Sequence, residues 1–301
     1  ILIVGYGPAG ITAAIYAARK RLSVALIGEL PGGEVRNSGD IENWPGDQNT
    51  DGNTLADKLI AHLNDHKEFV TIIQTKVLNI IKEDSVFLTT TEDGKTYTST
   101  TVIYTAGRHP RMLNVPGEAE YKNLGVTYCA TCDAPLFSGK DVAVVGGGNT
   151  GAEAIIMLQK IAKKIYVLQD IDHLIADEVL VANFEKDPNV TIITNTKTTR
   201  ITGDTLVTGL TYKDSTTGTE TTLAVQGIFV AIGAIPNTLP VKELVKLDRM
   251  GAIETDRYGV TSIPGFFAAG DVTNIRDAQI VVAAGHGCSA ALSAGDYLSR
   301  L

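Results

Sequence analysis

Three cysteines in 301 residues are too few for a disulfide-built scaffold, so the chain reads as a protein of a reducing, cytoplasmic compartment. No run of about 18 apolar residues occurs, and nothing in the sequence is expected to span a membrane. Lys and Arg never gather in a block and the formal net charge is −8, a surface that would repel nucleic acid. A zinc site needs about four ligands, usually from two Cys/His pairs, whereas Cys288 and His173 each stand alone, so no metal is expected. No Met precedes the first residue, which lies inside an apolar run, ILIVG; a targeting peptide is therefore neither visible nor excluded. What remains is a globular composition, 44% hydrophobic and 20% charged, in a chain long enough for one large or two ordinary domains.

What is present is one design used twice. ILIVGYGPAGITAAIYAARK opens the chain, and DVAVVGGGNTGAEAIIMLQKIAKK begins at Asp141. Each reads as an apolar strand, a G-x-G-x-x-G turn (Gly5, Gly7, Gly10; Gly146, Gly148, Gly151) and a helix of small residues. Each then runs into another strand, LSVALIG or KIYVLQ. The first glycine permits the tight turn, the second lets a pyrophosphate approach the backbone, and the third lets helix and strand pack closely. The helix start adds free N–H groups and a positive dipole end. One copy is compatible with a tight turn in an ordinary α/β unit. Two copies in full context point to two dinucleotides, the arrangement of a flavoprotein fed by a nicotinamide.

A third element belongs with the first turn. TSIPGFFAAGDV ends a strand near Ala269 and turns at Gly270-Asp271, where a carboxylate at a strand end can accept sugar hydroxyls. AQIVVAAGHGCSAALSAGDYL then reads as a long helix starting near Gln279, its dipole able to stabilise an anionic ring. The expected fold is α/β with two Rossmann-like domains, one inserted in the other: 1–113 and 239–301 form the outer domain, 114–238 the inserted one. NVPGEAEY and AIPNTLP are the expected crossings, and KDSTTGTETT a polar hairpin.

CATCDA, residues 129–134, sets two of the three cysteines two residues apart with an aspartate behind them. By spacing alone this is a metal clamp, a staple or a pair that makes and breaks a disulfide. A four-residue loop constrains little, which makes a poor staple.

The ordered series GYGPAG, ENWPG, TAGRHPR, YCATCDAPLF, GGGNTGAEA, AIGAIPNT, FAAGDV and AQIVVAAGHGCSAALSA resembles the bacterial thioredoxin reductase family over essentially the whole chain. From CDAPLFSGKDVAVVGGGN through VTGLTYKD the sequence is still more similar to the disulfide-reductase portion of the alkyl hydroperoxide reductase flavoprotein. That protein carries an extra N-terminal thioredoxin-like module, and the present sequence starts at what would be its flavin domain. The resemblance implies FAD on Gly5, Gly7, Pro8, Ala9 and Gly10, with Glu29, Glu34, Asn43, Ala106, Gly107, Gly270, Asp271 and Gln279 around it. It implies a nicotinamide nucleotide on Gly146, Gly148, Asn149, Thr150 and Gly151, with Gln169 and Asp170 at its ribose. It implies that Cys132 takes electrons from the flavin, that Cys129 attacks the disulfide of thioredoxin or a thioredoxin-like protein, and that Asp133 carries the proton. A C-x-x-C pair favours a lowered thiolate pKa, which suits that task. Members are homodimers, and their inserted domain swivels so that the pair serves flavin and partner in turn.

The sequence departs from the family in three places. NADPH-using members carry HRRD and a further Arg after the second nicotinamide-domain strand; here VLQDIDHLIADE has no Arg or Lys from Gln169 to Glu185. A 2′-phosphate would meet Asp170 or Asp172, so NADH is expected over NADPH. Glu34 replaces a usual glutamine, and Ala278 a common basic residue. Alternatives are the same relay fed by a donor such as ferredoxin, a flavin NADH oxidase, or a non-catalytic nucleotide-binding module. Cys288 is expected as a core thiol, His286 and His173 as surface or loop residues, and Trp44 as packing under the flavin-side loop.

Overall fold

Short strands buried on both faces are what a parallel sheet covered by helices requires, and the chain supplies two such sets. The computed structural model describes residues 1–48 and 50–301. It divides into two units, Ile1–His109 with Ile235–Leu301, and Pro110–Ala234. The first division falls ahead of the NVPGEAEY break that begins at Asn114, and the second falls within AIPNTLP, before the expected boundary at 238. Strands Arg108–Pro110 and Ala234–Pro236, where the chain crosses, pair with each other.

The outer unit holds a five-stranded parallel sheet ordered Phe266–Ala268, Val102–Tyr104, Leu2–Val4, Val24–Ile27, Val70–Ile73. The inserted unit lays out Val126–Thr127, Gly227–Val230, Asp141–Val145, Lys164–Leu168 and Val190–Ile193, again all parallel, with the edge strand now first in the chain instead of last. Each unit adds a three-stranded antiparallel sheet, Val77–Glu83, Val86–Thr91 and Thr96–Ser99 in the first and Thr196–Gly203, Val207–Asp214 and Glu220–Ala224 in the second. The polar KDSTTGTETT stretch turns between the last two, with Lys213 opposite Glu220. Both parallel sheets are α/β dinucleotide-binding architecture. Among the described residues no helix is long and apolar enough to cross a membrane.

Small residues set the helix packing of the outer unit. The Pro8–Arg19 helix has Pro at its first position, which fixes φ where no N–H is needed, and buries Ala9, Ala13, Ala14, Ala17 and Ala18. It packs against the Ile280–Leu298 helix, which buries Ala283, Gly287, Ala290, Ala291 and Ala294. A Cβ on Gly287 would stand 2.1 Å from the Ala9 carbonyl oxygen. The close approach also buries His286, which is 8% exposed; it is not the surface residue expected from its polarity. Cys288 is half-buried rather than a core thiol.

Glycine in a helix interior ordinarily costs about 0.5–1 kcal/mol against alanine. Gly285, with nothing within 4 Å of its Cβ position, should obey that rule, and Gly285→Ala should raise the thermal midpoint of the apoprotein. Gly287→Ala should lower it, through a destabilisation of roughly 1–3 kcal/mol or more from the overpacked contact. Thermal unfolding of the two variants checks the opposite signs.

Candidate active site

The two glycine turns have one geometry. Gly5 has φ +112° and Gly146 φ +120°, a region that glycine enters without strain. A Cβ on Gly10 would lie 1.9 Å from the Gly5 carbonyl oxygen, and one on Gly151 2.0 Å from that of Gly146. The second glycines differ. The nearest atom to a Cβ on Gly7 is 3.8 Å away (Gly33 Cα), and on Gly148 also 3.8 Å (Ile175). Gly7 and Gly148 are the N-caps of their helices and neither helix start has a side-chain cap. A Cβ at either position would meet nothing closer than ordinary van der Waals contact, and uncapped amides at an uncrowded helix N-terminus are what a pyrophosphate needs, so both turns fit a dinucleotide.

In the outer unit several of the expected cofactor residues converge. Asn43 Nδ2 donates to Gln279 Oε1 at 3.3 Å, and Gln279 caps the last helix. Trp44 and Ile280 both pack against the buried cluster of Val35, Ile41, Leu55 and Ala56. Gly107, at φ +65° with nothing within 4 Å of its Cβ position, follows Ala106. Their turn is held by a residue that sequence reasoning did not single out: Asn237 Nδ2 donates to the Ala106 carbonyl at 2.7 Å and its N–H to the Gly107 carbonyl at 3.0 Å. Asp271 lies 3.9 Å from the Arg108 guanidinium; burial pushes its carboxyl up and Arg108 works against that. The Gly270 N–H donates to Nδ1 of buried His286 at 3.2 Å, so that ring is neutral, with its proton on Nε2. Burial lowers the His286 pKa in the same sense. Glu29 and Glu34 are exposed, and Glu34 Oε2 accepts from Asn37 Nδ2 at 3.1 Å.

In the inserted unit the loop after Lys164–Leu168 folds back over the second glycine turn. Ile175 and Ala176 donate their N–H groups to the Gly147 carbonyl at 2.9 and 3.1 Å. Asn149 Nδ2 donates to Asp177 Oδ2 at 3.1 Å, and the Asp177 N–H to Asn149 Oδ1 at 2.8 Å. Gln169 is 5% exposed, and its Oε1 accepts the Gly147 N–H at 2.9 Å. Its amide is therefore locked beneath the turn, while Asp170 and Asp172 are exposed on the loop.

Cys129 and Cys132 are joined in a disulfide with Cα atoms 5.3 Å apart. The pair follows the strand Val126–Thr127 directly and opens the one-turn helix Ala130–Asp133, with Cys129 half-buried and Cys132 exposed. The Cys129 carbonyl accepts the N–H groups of Cys132 and Asp133 at 3.2 and 3.1 Å. Asp133 accepts a hydrogen bond from the Thr127 hydroxyl; burial pushes its carboxyl above the usual range and this bond partly offsets the rise. Before the pair, the Tyr128 hydroxyl donates to Oε1 of buried Glu118 at 2.9 Å. Glu118 also receives the N–H groups of Leu113 and Asn114 at 2.8 and 2.7 Å. The arrangement is a disulfide beside a partly buried carboxyl whose pKa burial raises, on a unit with its own dinucleotide turn.

Comparison with known proteins agrees with this chemistry. The profile of the pyridine nucleotide-disulphide oxidoreductase family matches residues 1–287. The chain is 44% identical over 300 residues to an NADH dehydrogenase of Bacillus subtilis, covering 100% of this chain and 58% of that protein. It is 42% identical over 300 residues to an alkyl hydroperoxide reductase component of Staphylococcus epidermidis, covering 100% of this chain and 59% of the relative. The chain thus spans less than two thirds of the length of these curated relatives. Among solved structures, thioredoxin reductase from Streptococcus pyogenes aligns with a TM-score of 0.93 at 39% identity, covering 100% of this chain and 98% of that one. Thioredoxin reductase from Giardia duodenalis aligns at 0.92 with 31% identity, covering 99% and 98%.

The glycine geometry separates folding from binding. Gly10→Ala should not accumulate as folded protein, because its methyl would meet a backbone oxygen at 1.9 Å. Gly7→Ala should fold with the apoprotein's normal melting temperature and yet retain flavin poorly on purification, read as the ratio of flavin to protein absorbance.

Proposed function

The chain belongs to the pyridine nucleotide-disulphide oxidoreductase family, as a thioredoxin reductase-like disulfide oxidoreductase. From that premise we propose that it is an FAD-dependent enzyme that passes electrons from NADH to the disulfide of thioredoxin or a thioredoxin-like protein, and that it works as a homodimer. The observation that carries this reading is the Cys129–Cys132 disulfide beside Asp133, whose carboxyl pKa burial raises, in a chain with two dinucleotide-fitting turns.

Gly5, Gly7, Pro8, Ala9, Gly10, Asn43, Asp271 and Gln279 would hold FAD, which when bound would supply an electron pair for reduction of the Cys129–Cys132 disulfide. The Gly146–Gly151 turn would hold the nicotinamide nucleotide through the uncapped amides at the start of its helix. Once reduced, Cys129 attacks as a thiolate one sulfur of the partner's disulfide; a Cys129–partner bond forms and the other partner sulfur leaves as a thiolate. Cys132 then attacks the Cys129 sulfur, which restores the intramolecular disulfide and releases the partner as a dithiol. The exchange moves protons on and off the sulfurs, and Asp133, its pKa raised by burial, is the carboxyl beside the pair that can carry one.

The donor preference rests on charge. No Lys or Arg lies between Gln169 and Glu185, and the exposed acids Asp170 and Asp172 stand where a 2′-phosphate would need a cation. The name NADH dehydrogenase, carried by a 44% identical relative, supports the same choice. Gln169 is committed to Gly147, which leaves Asp170 as the hydrogen-bonding group for a free 2′-hydroxyl.

In anaerobic stopped-flow measurements NADH should reduce the flavin faster than NADPH at equal concentration by about one to several decades, the scale of a lost charge pairing. Asp170→Arg, at an exposed position, should narrow that gap. A wild-type preference for NADPH, or reduction by a ferredoxin but by neither nucleotide, would contradict the assignment. Cys129→Ser and Cys132→Ser should each remain yellow and reducible by NADH while losing turnover of thioredoxin and of a disulfide dye; turnover surviving in either variant would contradict the relay.

A further inference from the structure

Thr127 ends the strand that leads into the redox pair. It is 4% exposed, and its hydroxyl has two partners. The Cys129 N–H donates to Thr127 Oγ1 at 3.2 Å, and Oγ1 donates to Asp133 Oδ2. A hydroxyl carries one hydrogen and two lone pairs. A backbone amide can only donate, so Cys129 occupies a lone pair and the hydrogen must go elsewhere. Among the described residues Asp133 Oδ2 is the acceptor this hydrogen reaches, and leaving it unbonded in a buried place would be costly. A threonine that merely closes a local turn would bond the amide two residues on, as it does here with Cys129; that role does not account for the bond to Asp133.

The second half of the circuit runs through the backbone. The Asp133 N–H donates to the Cys129 carbonyl at 3.1 Å. Asp133 is therefore tied to Cys129 twice, by its own amide and by its carboxyl through Thr127. The strand supplies the fixed end of this circuit, since Thr127 pairs in parallel register with Phe229.

We propose that Thr127 is the positioning residue of Asp133: its hydroxyl holds Oδ2 as a permanent acceptor, so that the proton Asp133 exchanges sits on Oδ1, and it locks that carboxyl to the backbone of Cys129. The proposal rests on the reading of Asp133 as proton carrier given above. Among the described residues no hydrogen bond is made to Oδ1, which leaves it for the transfer. Burial raises the Asp133 carboxyl and the Thr127 hydroxyl opposes that rise. Tyr128 is turned to Glu118, so Cys129 and Cys132, once reduced, are the titratable groups that join Asp133.

The sign follows. A donor to a carboxylate favours its ionised form, so removing the hydroxyl moves the Asp133 titration to higher pH. The stability that the raised carboxyl contributes is full below the ordinary carboxylate range and is lost as pH rises through its folded value. Without Thr127 that loss also moves to higher pH.

The test compares wild type with Thr127→Val, Thr127→Ser and Asp133→Asn. Carboxyl-carbon NMR titration of the oxidised protein reads the group directly, the Asp133 signal being the one absent in Asp133→Asn. The same four proteins are assayed for thioredoxin turnover against pH. In Thr127→Val the Asp133 signal should titrate at higher pH than in wild type, the limb of the rate profile that Asp133→Asn removes should shift the same way, and turnover at neutral pH should fall on the order of tenfold. Thr127→Ser should restore all three. If the valine does not fold, Thr127→Ala removes the same hydroxyl without crowding. An unchanged Asp133 titration in the hydroxyl-free variant, with Asp133→Asn still inactive, would overturn the role of Thr127 alone. A fully active Asp133→Asn would overturn the role of Asp133, and that of Thr127 in turnover with it.

Discussion

At two places in this chain a helix starts so close to a strand end that no side chain fits between them. The Gly10 Cβ position is 1.9 Å from the Gly5 carbonyl oxygen, and the Gly151 position 2.0 Å from that of Gly146. That contact aims the first-turn amides beyond the strand ends and leaves Gly7 and Gly148 uncrowded, a Cβ at either meeting nothing nearer than 3.8 Å. The rest of the proposed machinery collects at those two edges, because parallel strands all end on the same side of a sheet.

The two sheets share a spatial layout, with an edge strand that comes last in the chain in one and first in the other, and the comparison locates the redox pair. In the outer unit the strand Phe266–Ala268 lies beyond Val102–Tyr104 and leads into Gly270-Asp271. In the inserted unit Val126–Thr127 lies beyond Gly227–Val230 and leads into Cys129. One outer strand thus delivers a carboxylate and the other a disulfide from the equivalent position. Each is held by a buried side chain that adds no cysteine or acid to the site. His286 takes the Gly270 N–H, and Thr127 takes the Cys129 N–H and gives its own hydrogen to Asp133. Neutral donors and acceptors suit this work, since burying a further charge there would be costly.

The parallel sheets, both glycine turns and the start of the last helix at Gln279 were legible in the sequence. Apolar runs, glycine spacing and the shift to a helix of small residues each record backbone geometry directly. The supporting contacts were not. Asn237 reaches Ala106 across 131 positions and His286 reaches Gly270 across 16, and a lone polar residue carries no periodicity that announces its partner. Polarity suggests exposure for His286, whereas the glycine and alanine packing of the two long helices draws that turn into the core. Gln169 is expected at a ribose. A buried amide bonded to Gly147 shows in the structure that its side chain serves the turn itself. Thr127 and Asp133 are only six positions apart, but a strand-end threonine is too common a feature to be singled out.

Central to this account is that electrons from NADH come to rest on the Cys129–Cys132 pair before they leave the protein. Anaerobic titration of the FAD-loaded enzyme with NADH, followed by flavin absorbance and thiol counting, measures this directly. Disulfide and flavin are each two-electron centres, so full reduction of wild type should take about two equivalents per chain and expose two new thiols, and a variant with both cysteines replaced by serine should take about one. A wild-type protein that bleaches completely with about one equivalent and exposes no new thiols would contradict the account.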